Sequence, residues 1–497
     1  MNAAMAADRL RMAEDDARAF YLVRAVEAGD ENHALLTRED RSEADLAGAR
    51  LGEGSAPADF LAARAHFAAT RLETRHPAVK RALAATRFPG WLAAVVPLVA
   101  FVLGLASNEL ASGKRLDLLA VPLLGLVAWN LVAYAAMAVR SIAGSRVPAA
   151  SGWLAKPRKW LAQRGAAWSA ETSAALGRFG ADWARVAGKL NIRRGAIVLH
   201  LGAAMFALGV IVSIYLRALT VEYRAGWEST FLGPDAVHTL LGWVLGPASA
   251  ATGIAIPDVE GIRALAWENG GENAGPWIVL YTATLVGFVA VPRLLLAGWN
   301  ALAAARGKRR IAIPGREDFY TRRLLRARDG GGAELRVTPY AYTPDAATQA
   351  SLSDLLRAAL GEGVAVRFDS PVPYGNEDAW VEGVAFSDQT DIHVALFSLS
   401  ATPERENHGW FADALRLRLH KERPGQRLVA VVDEGPFRRH FAGQSGLEER
   451  VAERRANWEK LLKSFGTTAL VMDIAAADPA AEAQRLEALT TGEALYA

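Results

Sequence analysis

The sequence predicts an α-helical polytopic membrane protein with four transmembrane helices, a helical N-terminal cytosolic segment and a C-terminal cytosolic α/β domain. Three observations lead there. Four long apolar runs stand in two pairs, at Gly90–Ser107, Leu116–Val139, Ala196–Leu219 and Pro276–Trp299. Basic residues crowd the segment between the pairs. Beyond Ile311, apolar runs of strand length alternate with amphipathic stretches of helix length.

A bilayer core is about 30 Å thick and takes roughly 20 helical residues to cross, so four such runs within 210 residues exceed what one soluble core would bury. The hydrophobic fraction is 52%, too low for a wholly embedded chain, which implies large aqueous parts. The net charge of +3 gives no expectation of nucleic-acid binding. With no cysteine, disulfides, thiolate chemistry and cysteine-ligated metals are excluded. The opening MNAAMAADRLRMAEDD has no basic region leading into an apolar one, so the first span is expected to direct insertion.

Charge orients the runs. Between the second and third, eleven Lys and Arg face only Glu171 and Asp182; between the third and fourth, Arg224 and Arg263 face seven acids. Cytoplasmic loops carry the basic excess, which places both termini in the cytoplasm. Lys114 and Arg115 in the first outer loop run against this pattern. The organisation read from the chain is a helical segment at 1–89, a transmembrane hairpin at 90–139 and a basic amphipathic loop at 140–195. Two further spans follow at 196–299 around an extracytoplasmic loop at 220–275, then a basic connector at 300–329 and an α/β domain at 330–497.

In the N-terminal segment, Ala13–Ala28 and Ala58–Ala85 read as helices. In the inner loop, Leu176, Phe179, Trp183, Val186 and Leu190 step at helical spacing. With Trp160 and Trp168 among basic residues upstream, this segment fits either a helix lying on the anionic inner leaflet or a face packed on protein. Trp160, Trp168 and Trp183 are the candidate membrane-surface residues. In the outer loop, Pro234-Asp235 marks a helix start and Gly246-Pro247 its end. This short helix, bearing Trp243, fits the outer interface, and a re-entrant pore helix is the sharper alternative.

Strands are expected at Glu334–Tyr342, Val364–Phe368, His393–Ser398, Arg427–Val432 and Ala469–Asp473. Helices are expected at Pro344–Leu360, His408–His420, Gly446–Phe465 and Pro479–Leu489. Continuous apolar strands such as VALFSL and RLVAVV suit a parallel sheet covered on both faces. Ligands of such sheets bind at the carboxyl ends of the strands, where Ser398–Glu404, Asp433-Glu434-Gly435 and Asp473 fall. The spacing of these ends resembles the later strands of a GTPase, but there is no G-x-x-x-x-G-K-[ST] to cradle a phosphate. Val432-Asp433-Glu434 also lacks the Asn-Lys-x-Asp pattern that reads guanine.

Asp433 and Glu434 form either a carboxylate pair for acid–base work or a solvated turn. Arg438, Arg439 and His440 form either a phosphate-neutralising group or a basic helical turn. These five are the candidate cytosolic interaction residues. The nine histidines form no H-x-x-x-H, so no metal site is expected, nor a cofactor, nor a catalytic motif. Within the apolar runs stand Asn130, His200 and Arg293, with Arg217 at the outer end of the third. Polar groups there are costly and usually face the bundle interior, which makes Asn130, His200 and Arg293 the intramembrane candidates. The absence of a buried acid among them argues against proton-coupled transport.

The stretches MAEDDARAFYLVRAVE, the hairpin of the first span, and VALFSLSATPERENHG…RLVAVVDEGPFRRHF resemble the uncharacterised bacterial DUF2868 membrane family over most of the chain. The resemblance implies a bacterial inner-membrane location. It also implies a genomic neighbour that is a GTPase, and so a cytosolic GTPase partner. It supplies no active-site residues. The expected function is a membrane scaffold or docking partner for a cytosolic protein; the alternative is a subunit of an oligomeric channel or transporter. Partners expected on these readings are the lipid bilayer, the GTPase and further copies of the chain.

Overall fold

A computed structural model describes residues 10–30, 33–51, 54–107, 115–119, 121–142, 170–329, 331–360, 363–478, 482 and 485–486. The chain divides into two compact units. One comprises Met1–Thr86, Pro157–Val186 and Arg309–Ala497; the other comprises Arg87–Lys156 and Ala187–Lys308. Residues 1–86 and 309–497 therefore share a unit. The stretch read as a connector at 300–329 contains the end of a helix, strand β5 (Ile311–Ile313) and the helix Phe319–Arg328.

In the first unit, strand β1 (Leu10–Met12) pairs antiparallel with β5, Arg11 opposite Ala312. Helices Glu14–Glu27 and Pro57–Arg75 pack beside this ribbon, and Arg38–Ala49 packs on the latter. Thr37 and Asp40 close a reciprocal capping box at the start of the second helix. Arg64 crosses the buried centre and donates to both oxygens of Glu27, at 2.8 and 3.3 Å, and to the Tyr320 hydroxyl at 3.2 Å. Arg24 meets Asp318 at 2.7 Å and Asp182 at 3.6 Å. The N-terminal helices, the start of helix Ala170–Ala218 and the helix after β5 are thus joined by charge as well as by packing.

The same unit carries a five-stranded parallel sheet of β6 (Glu334–Pro339), β7 (Ala365–Phe368), β8 (Thr390–Ser398), β9 (Arg427–Asp433) and β10 (Ala469–Met472). The strand order is β10-β9-β8-β6-β7. All nine residues of β8 are buried. Its side chains alternate between two cores: Ala395 and Phe397 join Phe411 and Trp458 on one face, while Val394 and Leu396 join Leu352 and Val431 on the other. All five predicted strands are present, and helices Ala346–Leu360, Trp410–Glu422 and Leu447–Ser464 match three of the predicted ones. Pro479–Leu489 lies largely outside the described residues. The short helix Glu377–Gly383 lies outside the sequence expectations, and the helix Gly435–His440 realises the basic helical turn read at Arg438–His440.

In the second unit four apolar helices pack together, one of them through its portion from Ala187 onward. Thr172–Ala218 and Gly275–Lys308 are long and apolar enough to cross a membrane; Leu92–Ser107 and Leu124–Val139 are apolar but shorter. The sixteen-residue helix Leu92–Ser107 rises about 24 Å, less than the roughly 30 Å of a hydrocarbon core. Its contact with the long helix is backbone to backbone. A Cβ on Gly104 would lie 2.3 Å from the Phe206 carbonyl oxygen, and one on Gly209 2.2 Å from that of Phe101. Small residues allow this close approach, and Ser213 adds a hydrogen bond to the Leu105 carbonyl at 2.8 Å.

Two boundaries differ from expectation. The third apolar run and the amphipathic stretch before it are one continuous helix starting at Ala170; the charged face of Lys189, Arg193 and Arg194 ends the apolar signal but not the helix. The outer-loop helix runs Pro234–Thr252, straight through Gly246-Pro247. Pro247 cannot donate to the Trp243 carbonyl one turn back, but Trp243 is 79% exposed and that side of the turn is open. The helix stops at Gly253, whose φ of 74° is the left-handed end that glycine supplies. A small sheet of β2 (Arg115–Asp117), β3 (Arg224–Gly226) and β4 (Glu272–Asn273) lies under this helix and was not anticipated.

Burial alone would raise the Glu27 carboxyl, but Arg64, with Arg41 behind it, holds it down at about 2 against 4.5. A depressed carboxyl stabilises the fold above its unfolded value and loses that contribution as pH falls through the folded one. The detergent-solubilised protein should therefore lose unfolding temperature between pH 4.5 and 2. Glu27→Gln should unfold several degrees lower at pH 7, because the buried Arg64 then keeps only Asp45, at 2.5 Å, as a charged partner, and should have a shallower acid slope. Parallel slopes for the two proteins would remove Glu27 from that transition.

Candidate functional site

The fourth apolar run is a helix with a fault. Pro292 lacks an N–H, so the Phe288 carbonyl four residues back lacks its ordinary helical donor. The turn before it, Val286–Ala290, is widened to π-helical geometry. Tyr134, on the second apolar helix, donates its hydroxyl to that Phe288 carbonyl at 3.0 Å. Immediately after the proline, Arg293 turns inward and is only 8% exposed.

Arg293 gathers the other two intramembrane candidates. Its Nε donates to Asn130 Oδ1 at 2.8 Å, and one terminal nitrogen lies 3.2 Å from His200 Nδ1. A guanidinium only donates, so His200 Nδ1 accepts and its ring proton sits on Nε2. The Tyr134 ring lies 4.9 Å from the guanidinium carbon, at cation–π distance. Asn130 is held in turn by its own donation to the Leu126 carbonyl. Among the described residues no carboxylate pairs with Arg293; its charge is met by an amide, an imidazole and an aromatic face. Three residues scattered over 164 positions thus form one cluster linking three helices. Tyr134 completes it and was not singled out from sequence. The available signal was its place four residues after Asn130, on the same helical face.

At the carboxyl end of the sheet, the expectation that Asp433 and Glu434 form a solvated turn is overturned, since both are 1% exposed. They do point apart. Asp433 accepts from the Tyr342 hydroxyl at 2.6 Å and from the Gly435 and Ile474 N–H groups at 3.0 and 3.3 Å. Burial and this carboxylate push the Tyr342 hydroxyl well above its ordinary value. Glu434 accepts from Arg455 at 2.6 and 2.9 Å and from Arg438 at 3.0 Å. Arg438 is further held by Glu448 at 2.7 Å. Arg438, Arg439 and His440 belong to the short helix Gly435–His440, with Arg439 and His440 exposed. The two acids therefore do not converge on one point, and Arg438 is committed to Glu434 and Glu448.

Trp160 and Trp168 lie outside the described residues. Trp183 does not face lipid. It is 3% exposed, donates to the Thr86 carbonyl at 3.4 Å and stacks under the Arg18 guanidinium at 4.9 Å. Phe179 on the same face is also buried. Of the two readings of this amphipathic stretch, packing on protein is the one realised at Trp183, because the N-terminal helices supply the covering surface. Among the described residues no group of three or more His, Asp or Glu side chains could hold a metal ion.

These features define a largely helical protein with apolar helices in one unit and a five-stranded parallel α/β sheet in the other. Residues 158–486 match the DUF2868 family, described as a protein of unknown function, and the chain belongs to that family. Comparison with curated proteins and with solved structures finds no match.

Asn130→Leu leaves the buried Arg293 short of an acceptor and should cost about 1–3 kcal/mol, read as a lower unfolding temperature in detergent. Adding Arg293→Met should recover most of that loss, because an apolar side chain needs no partner there. A double variant no more stable than Asn130→Leu would mean that the cluster is not organised around the guanidinium.

Proposed function

We propose that this chain is a multi-span inner-membrane protein with both termini in the cytoplasm, and that its α/β unit is a docking surface for a cytosolic protein, specifically a GTPase. The observation that carries the membrane part is the outer face of the helices. Leu98, Leu103, Trp129, Leu199, Leu216, Leu295 and Trp299 are each more than half exposed, a surface that water would penalise and acyl chains would cover. On this reading the shorter helices Leu92–Ser107 and Leu124–Val139 complete a four-span arrangement with the two long ones.

Saturation at the end of β9 weighs against catalysis there and leaves docking as the better reading. Asp433 and Glu434 are occupied by the chain's own donors, and no glycine-rich phosphate loop follows β6. The GTPase identity rests on the family resemblance alone. The channel reading has one observation in its favour, the uncompensated Arg293 among apolar helices, and it needs an oligomer to form a pathway. Liposome flux compared between the native chain and Asn130→Leu tests that reading.

Two measurements test the proposal. Alkaline carbonate washing should leave the protein in the membrane pellet; release into the supernatant would contradict spanning. Crosslinking in native membranes followed by mass spectrometry should recover a nucleotide-binding partner. Recovery of the chain alone, in every nucleotide state, would remove the docking reading and turn attention to self-association.

A further inference from the structure

The parallel sheet has one topological switch point. From β6 the chain moves outward to β7, then crosses to β8 on the other side and continues to β9 and β10. The loops after β6 and β8 therefore diverge, and the crevice between such loops is where doubly wound sheets take ligands. Asp433 and Glu434, at the end of β9, lie outside this crevice.

Six residues converge there: Tyr340 at the end of β6, Glu404, Asn407 and His408 after β8, and Tyr374 and Glu377 in the return from β7. The Tyr340 hydroxyl donates to Glu377 Oε1 at 3.2 Å, and the Tyr374 hydroxyl donates to Glu404 Oε2 at 2.7 Å. The Asn407 amide donates to the same Glu404 oxygen at 2.6 Å. Behind this rim His408 stands edge-on to Tyr340, with ring centroids 5.3 Å apart.

Two polar atoms in this crevice are buried and unsatisfied. Glu377 is 7% exposed, and its Oε2 has no hydrogen-bond partner. His408 is 3% exposed; its Nδ1 accepts from the Glu404 N–H, which puts the ring proton on Nε2, and Nε2 has no partner. A buried orphan acceptor and a buried orphan donor each cost about 1–3 kcal/mol. The charged groups acting on Tyr340 and Tyr374 are all acidic, Glu377, Glu404 and Glu406 among them. Arg405, the nearest base in sequence, is turned away onto Phe465 and Ser464. Burial also holds His408 below its ordinary value, so it adds no positive charge at neutral pH. Phosphates and carboxylates are thus disfavoured, and a cation is favoured.

We propose that the β6–β8 crevice binds a primary ammonium that carries an oxygen acceptor on the neighbouring carbon. The ammonium donates to Glu377 Oε2 and Glu404 with Tyr374 beside it, and the neighbouring oxygen accepts from His408 Nε2–H. Two sources offer this chemistry: a free amino alcohol or amino amide, and the amino terminus of a polypeptide. The inference concerns the α/β unit only and stands whether or not a GTPase docks.

Calorimetry on the full chain in lipid nanodiscs at pH 7 tests it, with ethanolamine, glycinamide and propylamine as probes. Ethanolamine or glycinamide should bind, and propylamine, which has no acceptor, should bind at least several-fold more weakly. Glu377→Gln should weaken binding at least tenfold. Tyr374→Leu, at an exposed rim position, should weaken it several-fold with no change in unfolding temperature, which covers the case in which Glu377→Gln fails to fold. A tripeptide with a free amino terminus binding at least tenfold more tightly than glycinamide, and losing that affinity on acetylation, assigns the source to a polypeptide; equal affinities assign it to a small molecule. No heat with any probe, equal binding of propylamine, or binding unaffected by the variants overturns the proposal.

Discussion

Arg293 sets the terms for the apolar unit. A guanidinium buried among apolar helices without a carboxylate must find every acceptor nearby, and two of its hydrogen-bond partners are Asn130 and His200 on two other helices. The proline beside it opens the Phe288 carbonyl, which Tyr134 closes from the helix that bears Asn130. One charge and one missing N–H thus tie three helices together through directional contacts. The remaining helix, Leu92–Ser107, is held differently, by the glycine approach at Gly104 and Gly209, where shape rather than polarity sets the register.

The α/β unit divides its polar groups into two kinds. At the end of β9, Asp433 and Glu434 are saturated by a tyrosine, two arginines and backbone N–H groups, so they brace the crest of the sheet. At the β6–β8 crevice, Glu377 and His408 are also buried, yet each keeps one atom without a partner. Burial alone does not distinguish these two situations; counting partners does. Sequence pointed to the first pair because adjacent acids at a strand end are conspicuous. It gave no signal for the second, whose members lie far apart along the chain and meet only through the strand order.

What could be read beforehand follows the range of the interaction. The five strands and the apolar helices announce themselves locally, through runs such as VALFSL and RLVAVV, and the described structure contains them. Helix ends were less legible. Gly246-Pro247 was read as a stop but lies inside a helix, because an open turn tolerates the missing hydrogen bond. Trp183 looked equally suited to lipid or protein, and the choice depended on helices more than 100 residues upstream. The meeting of Asn130, His200 and Arg293 was not deducible either: each was conspicuous alone, but only tertiary packing brings them together.

The pairing of β1 with β5 bears on biosynthesis. Arg11 lies opposite Ala312, so the first strand leaves the ribosome about 300 residues before its partner exists. At 5–20 residues per second that is a delay of roughly 15–60 s, during which the apolar helices are made. The N-terminal helices, whose buried Arg64 needs Tyr320 as well as Glu27, must wait in an unfinished state until the chain returns. The last third of the protein thus acts as the clasp for the first, and a nascent chain cut short before residue 311 would leave the ribosome with its opening segment unclosed.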